Sequence, residues 1–182
     1  MAIEKRLEYR RAKRGAEMAF GLVQLGMSAA YLRDTAHAYE CVQWLMNSYW
    51  SPAMVSQHDP GEILNTDISG GLPALIITML VQSFEPAAPG SPWRIVILPC
   101  LPREWPDGSL RGVRCRGGFE VSVEWARRTV GRLEVTSLRG ERCEVELDGR
   151  VELPVFSGGR WVFAPSEADP GATERSEDAS RS

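Results

Sequence analysis

The chain has 182 residues, 43% of them hydrophobic, with a formal net charge of −3 and a pI near 5.5. That length supports one medium domain or two small units sharing an interface, and the mild acidity gives no electrostatic case for nucleic acid as a partner. No stretch approaches the roughly eighteen uninterrupted apolar residues of a membrane helix, and four cysteines without CxxC spacing beside two histidines argue against a zinc site or a disulfide scaffold. No cofactor and no metal is expected.

The first fourteen residues carry Lys5, Arg6, Arg10, Arg11, Lys13 and Arg14 against Glu4 and Glu8. They read as a charged N-terminal extension (1–14) with a solvated helix face, and they lack the continuous apolar core of a signal peptide. From residue 15 to about 90 the pattern is helical. Apolar residues recur at three and four in "GLVQLGMSAAYL" and again at Ala38, Cys41, Val42, Leu45 and Met46. Asp34 or Thr35 is placed to cap the second of these helices. "SPAMVSQHDPGEILNTDISGG" then mixes prolines and glycines into a long loop, a length that marks either function or disorder. A third helix is expected from about Leu72 or Pro73, where proline suits a first turn, to about Ser83.

"FEPAAPGSP" reads as a linker, after which the hydrophobic period falls to two. In "FEVSVEW" the residues Phe119, Val121, Val123 and Trp125 share one face. "LDGR" carries the Asp-Gly signature of a tight hairpin, and "SGGR" marks another turn. Six to eight short antiparallel strands over residues 91–165 predict a β-sandwich. The remaining 166–182 stretch is low in apolar residues and is expected to form a disordered tail. The fold class is α+β, a helical unit (15–90) followed by this β-domain.

Within the long loop Asp67 stands just ahead of an apolar helix. Its simplest role there is a helix N-cap, worth about 1 kcal/mol. A carboxylate at that place also faces unpaired backbone N–H groups and the positive end of the helix dipole, which favour its charged form. Asn65 could serve either a turn or a sugar hydroxyl. His58 could bind sugar or pair with Asp59, and Glu62 is a candidate carboxylate partner for Asp67. Trp44, Tyr49 and Trp50 fit a core better than a stacking platform, Trp125 falls on the interior face, and Trp105 is placed to pack the β-module against the helices.

The string "LNTDISGGLPALIITMLVQS" followed by "ILPCLPREWPDGSLRGVRCRGGFEVSVEW" resembles the C-terminal end of glycoside hydrolase family 95, the α-L-fucosidases. The features that carry the likeness are Asp67 to Gly71, "MLVQS" at 79–83, "LPCLP" at 98–102, "WPDG" at 105–108 and "RGGF" at 116–119. The resemblance covers roughly residues 15–150 and implies the terminal helices of an incomplete (α/α)6 barrel followed by the C-terminal β-sandwich. It implies a glycan substrate, such as a fucosylated oligosaccharide, hydrolysed with inversion. Asp67 would help polarise the attacking water, and Asn65 and His58 would be substrate-binding candidates. The family's Gly-Asn-Phe after the aspartate is Ile68, Ser69 and Gly70 here, which alters the expected subsite. The partner acid and the water-holding asparagines have no counterpart in this chain, so by itself it is expected to be inactive. Family members are often secreted, and the sequence does not fix a compartment. An exposed apolar helical face, with Leu22, Leu25, Leu45, Leu75 and Leu80 uncovered, is expected where the rest of a barrel would pack. The alternative is a non-catalytic structural or carbohydrate-binding β-module with a helical adaptor.

Overall fold

A computed structural model describes residues 2–13 and 18–165. The expected tail at 166–182 lies outside the described residues. Four helices come first: α1 (Ala2–Ala12), α2 (Ala19–Tyr31), α3 (Thr35–Ser48) and α4 (Asp67–Leu80). Eight strands follow among the described residues: β1 (Val81–Phe84), β2 (Trp93–Ile97), β3 (Gly108–Cys115), β4 (Phe119–Ala126), β5 (Thr129–Ser137), β6 (Cys143–Leu147), β7 (Arg150–Glu152) and β8 (Arg160–Phe163). The architecture is α+β with two mostly antiparallel sheets.

The helices close on one another through small residues. At Gly26 an added Cβ would lie 2.5 Å from the Leu75 side chain and 3.0 Å from the Cys41 Cβ, and at Gly71 it would lie 2.8 Å from Val23. These glycines let α4 approach α2 and α3 more closely than any side chain would permit. α4 accordingly begins at Asp67, five residues before the expected Leu72: Gly71 serves as packing surface against Val23 and the exposed Gly70 beside it stays helical, so the pair does not break the helix. Pro73 is then an interior helical residue. The helix also ends early, at Leu80. Val81 turns extended (φ −142°, ψ 125°) and pairs with Ile97 in a sheet.

α1 packs its apolar side on the same core. Ile3, Leu7 and Arg10 are buried, and a Cβ at Gly21 would collide with the Arg10 guanidinium. Only the opposite face of the basic N-terminal run is in water. Arg11 reaches α3, donating from Nε and Nη2 to the two oxygens of Glu40 at 2.7 and 2.6 Å. Asp34 caps α3, accepting from the His37 N–H at 3.3 Å, as its position in the sequence predicts.

The five leucines expected to be uncovered are not. Leu22, Leu45 and Leu75 have no exposure, Leu80 has 4%, and Leu25 is half-buried. The reason is local: the helical core takes in Leu22, Leu25, Leu45 and Leu75, and the sheet core covers Leu80, all within this chain. Each such burial contributes about 1.5–3 kcal/mol. Exposed apolar side chains gather elsewhere, at Met18 and Phe20 on the head of α2 and at Met54, Val55, Ile63 and Leu64 in the loop before α4.

The first sheet has the order β1-β2-β6-β7 and the second β3-β4-β5-β8. The β2–β6 pair is parallel, Trp93 facing Cys143 and Ile95 facing Val145, where an all-antiparallel module was expected. Parallel neighbours need a long crossover, and here β3, β4 and β5 provide it by crossing to the other sheet and back. Inward residues of both sheets share one core: Ile95, Ile97, Val145 and Leu147 from the first, Phe119, Val121, Val123, Leu133 and Val135 from the second. The alternation in β4 is as read, Trp125 included. Asp148 and Gly149 take φ of 47° and 75°, the tight β6–β7 turn that the Asp-Gly pair signals. "FEPAAPGSP" is the connection between β1 and β2 of one sheet and not a link between separate units.

The helical and sheet parts meet at a seam. Gln82 and Cys100 both donate to the Ala30 carbonyl, at 2.9 and 3.3 Å, and Arg33 Nη1 donates to Glu146 Oε1 at 2.6 Å. Trp105 packs edge-on against Tyr39 with ring centroids 5.6 Å apart and touches both cores, the bridging role expected of it. Among the described residues no helix is long and apolar enough to cross a membrane.

Candidate functional site

The loop between α3 and α4 is held by its own backbone. Trp50 bridges Ser56 and Gln57 bridges Leu64, both antiparallel. Gln57 N–H donates to Tyr49 O at 2.8 Å, His58 N–H to Ile63 O at 3.0 Å and Asn65 N–H to Ser56 O at 2.9 Å. Ala19 N–H donates to His58 O at 2.8 Å, which ties the loop to the head of α2. The prolines and glycines of this stretch therefore form a folded-back double turn. Tyr49 at its base is fully buried, and Trp44 and Trp50 pack half-buried on the helical core.

Asp67 is the first residue of α4 and is exposed. The N-cap is Thr66, whose side chain makes no cap hydrogen bond; one residue ahead of it Asn65, 8% exposed, accepts from the Asp67 N–H through Oδ1 at 2.5 Å. This is the local turn that Asn favours two residues ahead of a helix. Ser56 secures Asn65 in turn. Its Oγ donates to Asn65 O at 2.5 Å and lies 2.8 Å from Ser69 Oγ in the first turn of α4. Sequence reasoning passed over Ser56 and Ser69. Nothing in "VSQH" or "DISG" marks them, because their pairing depends on the loop folding back.

Asp67 is thus carried on a braced helix start with its carboxylate free. Among the described residues no hydrogen bond or ion pair engages its side chain. Chemically it can accept a proton or a hydrogen bond from water or from a hydroxyl. Asn65 is joined to Asp67 through the backbone, but its buried Oδ1 is committed to the turn.

His58 pairs with Asp59, Nδ1 to Oδ2 at 2.8 Å, which orients the ring. The other Asp59 oxygen is buried and has no hydrogen-bond partner among the described residues. His58 shares the double turn with Asn65. Glu62 sits in the turn between them, donating its N–H to Asp59 O at 3.0 Å, and among the described residues no contact joins it to Asp67. The cysteines offer no nucleophile. Burial pushes Cys41 and Cys143 up to about 12 and Cys115 to about 11, so their thiols stay protonated at neutral pH.

Residues 92–169 match glycoside hydrolase family 95, C-terminal domain. The chain is also similar to alpha-L-fucosidase 2 of Arabidopsis thaliana, 37% identical over 73 residues. That alignment takes in 40% of this chain and 8% of the plant protein. The chain thus spans a small part of the curated relative it matches, and the family match begins downstream of Asp67. The family match thus makes residues 92–169 of this chain similar to the C-terminal domain of glycoside hydrolase family 95.

Proposed function

We propose that this chain is the C-terminal part of a glycoside hydrolase resembling inverting α-L-fucosidases, with α2–α4 as the last helices of an (α/α)6 barrel and the two sheets as the β-sandwich behind it. The observation that carries this reading is continuity. The family 95 segment begins at residue 92, and the sheet it belongs to receives its first strand directly from α4, the helix headed by Asp67. A catalytic helix layer and a family 95 domain are then one folded piece.

In this reading Asp67 is the carboxylate that draws a proton from the attacking water. An inverting hydrolase needs such a base on one face of the sugar and a protonated acid on the other, with room for water between them. Asp67 meets the first requirement: it is ionisable, exposed and unpaired, and it stands at a fixed helix start. The acid and the groups that hold the water would come from polypeptide beyond these 182 residues, so the chain alone is inactive. Asn65 sets the aspartate's position, and the oriented His58 ring lies in the same double turn as a hydroxyl partner. The exposed Phe20, Ile63 and Leu64 around this loop fit a surface that the remaining barrel helices cover. The substrate is a glycan with a terminal fucose or a related sugar.

The test is a graft. The chain alone is assayed on an aryl α-L-fucoside and is expected to show no turnover. The same chain is then exchanged for the matching C-terminal part of the Arabidopsis relative. The hybrid is expected to hydrolyse the fucoside and to lose at least a hundredfold in kcat with Asp67→Asn, on the scale of removing a general base. A hybrid that works equally well with Asp67→Asn would remove Asp67 from the chemistry.

A further inference from the structure

Two concave spaces lined in part by charged groups lie at the seam, away from Asp67. One, of about 280 Å³, is walled by Arg33, Leu98, Glu146 and Asp148, and a second, of about 470 Å³, by Tyr39, Arg103 and Glu104. Thr35, Leu101 and Arg128 belong to both, so the two spaces meet along one groove. Their sizes fall in the range of small-molecule sites. We propose that this groove, between the α2–α3 corner and the first sheet, binds a neutral oligosaccharide. The proposal stands apart from the catalytic reading of Asp67.

Four elements build the groove, and the contacts between them are fixed. Arg33 follows α2 and is held to Glu146 of β6 at 2.6 Å, and Arg94 of β2 holds the other Glu146 oxygen at 2.5 Å. Arg128 occupies the β4–β5 turn, where its Nη2 donates to Leu101 O at 3.2 Å, and the rest of its guanidinium fork has no described partner. Arg33, Leu98, Arg128 and Asp148 all have positive φ, between 47° and 66°. The groove's rim is therefore made of turns whose backbones are set by the fold, which suits a preformed site.

Charge selects the ligand class. Three guanidiniums (Arg33, Arg103, Arg128) stand against three carboxylates (Glu104, Glu146, Asp148). A phosphate or sulfate would meet repulsion from the acids, and a cation would meet it from the arginines. Vicinal hydroxyls of a sugar, each both donor and acceptor, satisfy paired guanidinium and carboxylate groups together. The half-buried Tyr39 ring, braced by Trp105, offers the apolar face on which a pyranose can rest, and Leu98 and Leu101 line the remainder. The two lobes hold successive sugar units.

The experiment is a backbone NMR titration of the 182-residue protein with maltotriose and 2′-fucosyllactose as neutral probes, and with a disulfated disaccharide as the charged control. Saturating shifts at Thr35, Leu98, Leu101, Arg128 and Gly149 are expected with a neutral probe, together with little response to the sulfated one. Arg128→Asn keeps a residue that tolerates positive φ and is expected to weaken binding at least tenfold, or about 1.4 kcal/mol. Arg103→Gln, at a highly exposed position, weakens it without risk to folding. Asp67→Asn leaves groove binding unchanged, so a failed catalytic assignment and a failed groove give different results. Shifts confined to residues 57–67, preference for the sulfated probe, affinity unaffected by both arginine variants, or no saturable shift with either neutral probe would each overturn the proposal.

Discussion

Asn65 takes the turn role its position suggests, and Asp67 does not take the capping one. The aspartate, directly ahead of the apolar run, was the natural cap. Thr66 holds the N-cap position without a side-chain hydrogen bond, and Asn65 before it meets the first helical N–H as a cap side chain would, with Oδ1 at 2.5 Å from the Asp67 N, leaving the aspartate exposed as the first helical residue. A cap is worth about 1 kcal/mol. Asn65→Ala is therefore expected to lower unfolding stability by about 1 kcal/mol in a urea titration, with the loss felt in α4. Asp67→Asn is expected to change it by less than about 0.5 kcal/mol, as for a surface residue without a partner. If Asp67→Asn proves the more costly of the two, the carboxylate is a structural group and its catalytic assignment fails. The residue types of this site were legible from a polar, glycine-rich stretch leading into an apolar helix. Their division of labour was not, because it depends on Ser56 folding back onto Asn65 and Ser69, a contact no local pattern announces.

At the scale of elements, the helical period, the Asp34 cap and the strand alternation could be read directly, since each follows from neighbours along the chain. The start of α4 could not. Gly70 and Gly71 look like a break until Val23 is seen 2.8 Å from where a Gly71 Cβ would stand. α1 is half legible for a similar reason. Its charges declare a solvated helix face, while nothing local announces the opposite face, on which Ile3, Leu7 and Arg10 are buried. α1 is also fastened electrostatically. His37 of α3 holds Asp34 through Nδ1 at 2.6 Å and meets Glu4 of α1 through Nε2, and Arg11 joins Glu4 to Glu40. Asp34, and then Glu4, raise His37 above its ordinary value, while Arg11, and then His37, lower Glu4. A histidine raised on folding contributes stability that is complete below its unfolded value of about 6.5 and is lost as pH rises through the folded value. A lowered glutamate contributes above about 4.5 and loses that contribution as pH falls through its depressed value. Docking of α1 is therefore firmest between those limits. Hydrogen exchange of amides 2–12, corrected for intrinsic rates, is expected to quicken as pH climbs past the His37 transition. In His37→Gln that alkaline acceleration should disappear. Exchange in α1 that ignores pH in the native chain would show that apolar packing alone holds the helix.

For the whole molecule, the decisive feature is where one unit ends and the next begins. Composition changes near residue 90, and the family 95 match begins at 92, yet the fold changes at Val81. β1 pairs with β2 over Val81–Ile97, Gln82–Val96, Ser83–Ile95 and Phe84–Arg94, and it occupies the outer place of the first sheet. Leu80 and Val81 belong to the sheet core, and Gln82 hydrogen-bonds back to Ala30. A boundary drawn from periodicity misses a four-residue strand, because four residues of "VQSF" continue an apolar helix too smoothly to show a change of period. The consequence is physical. A polypeptide of residues 92–165 would lack β1 and leave β2 as an open edge, with unpaired N–H and C=O groups beside Ile95 and Ile97, the kind of edge that pairs with other chains. One of residues 81–165 keeps that edge covered and loses only the helical contacts at the seam. The longer piece is expected to unfold in a single cooperative transition and to remain monomeric in sedimentation, while the shorter one melts at lower temperature and associates. Equal melting temperatures and equal monomer content would mean that β1 is an ornament of the helical unit. The opposite result would place the working boundary of the β-rich unit at Val81, eleven residues ahead of the start of its sequence match, directly after the helix that Asp67 heads.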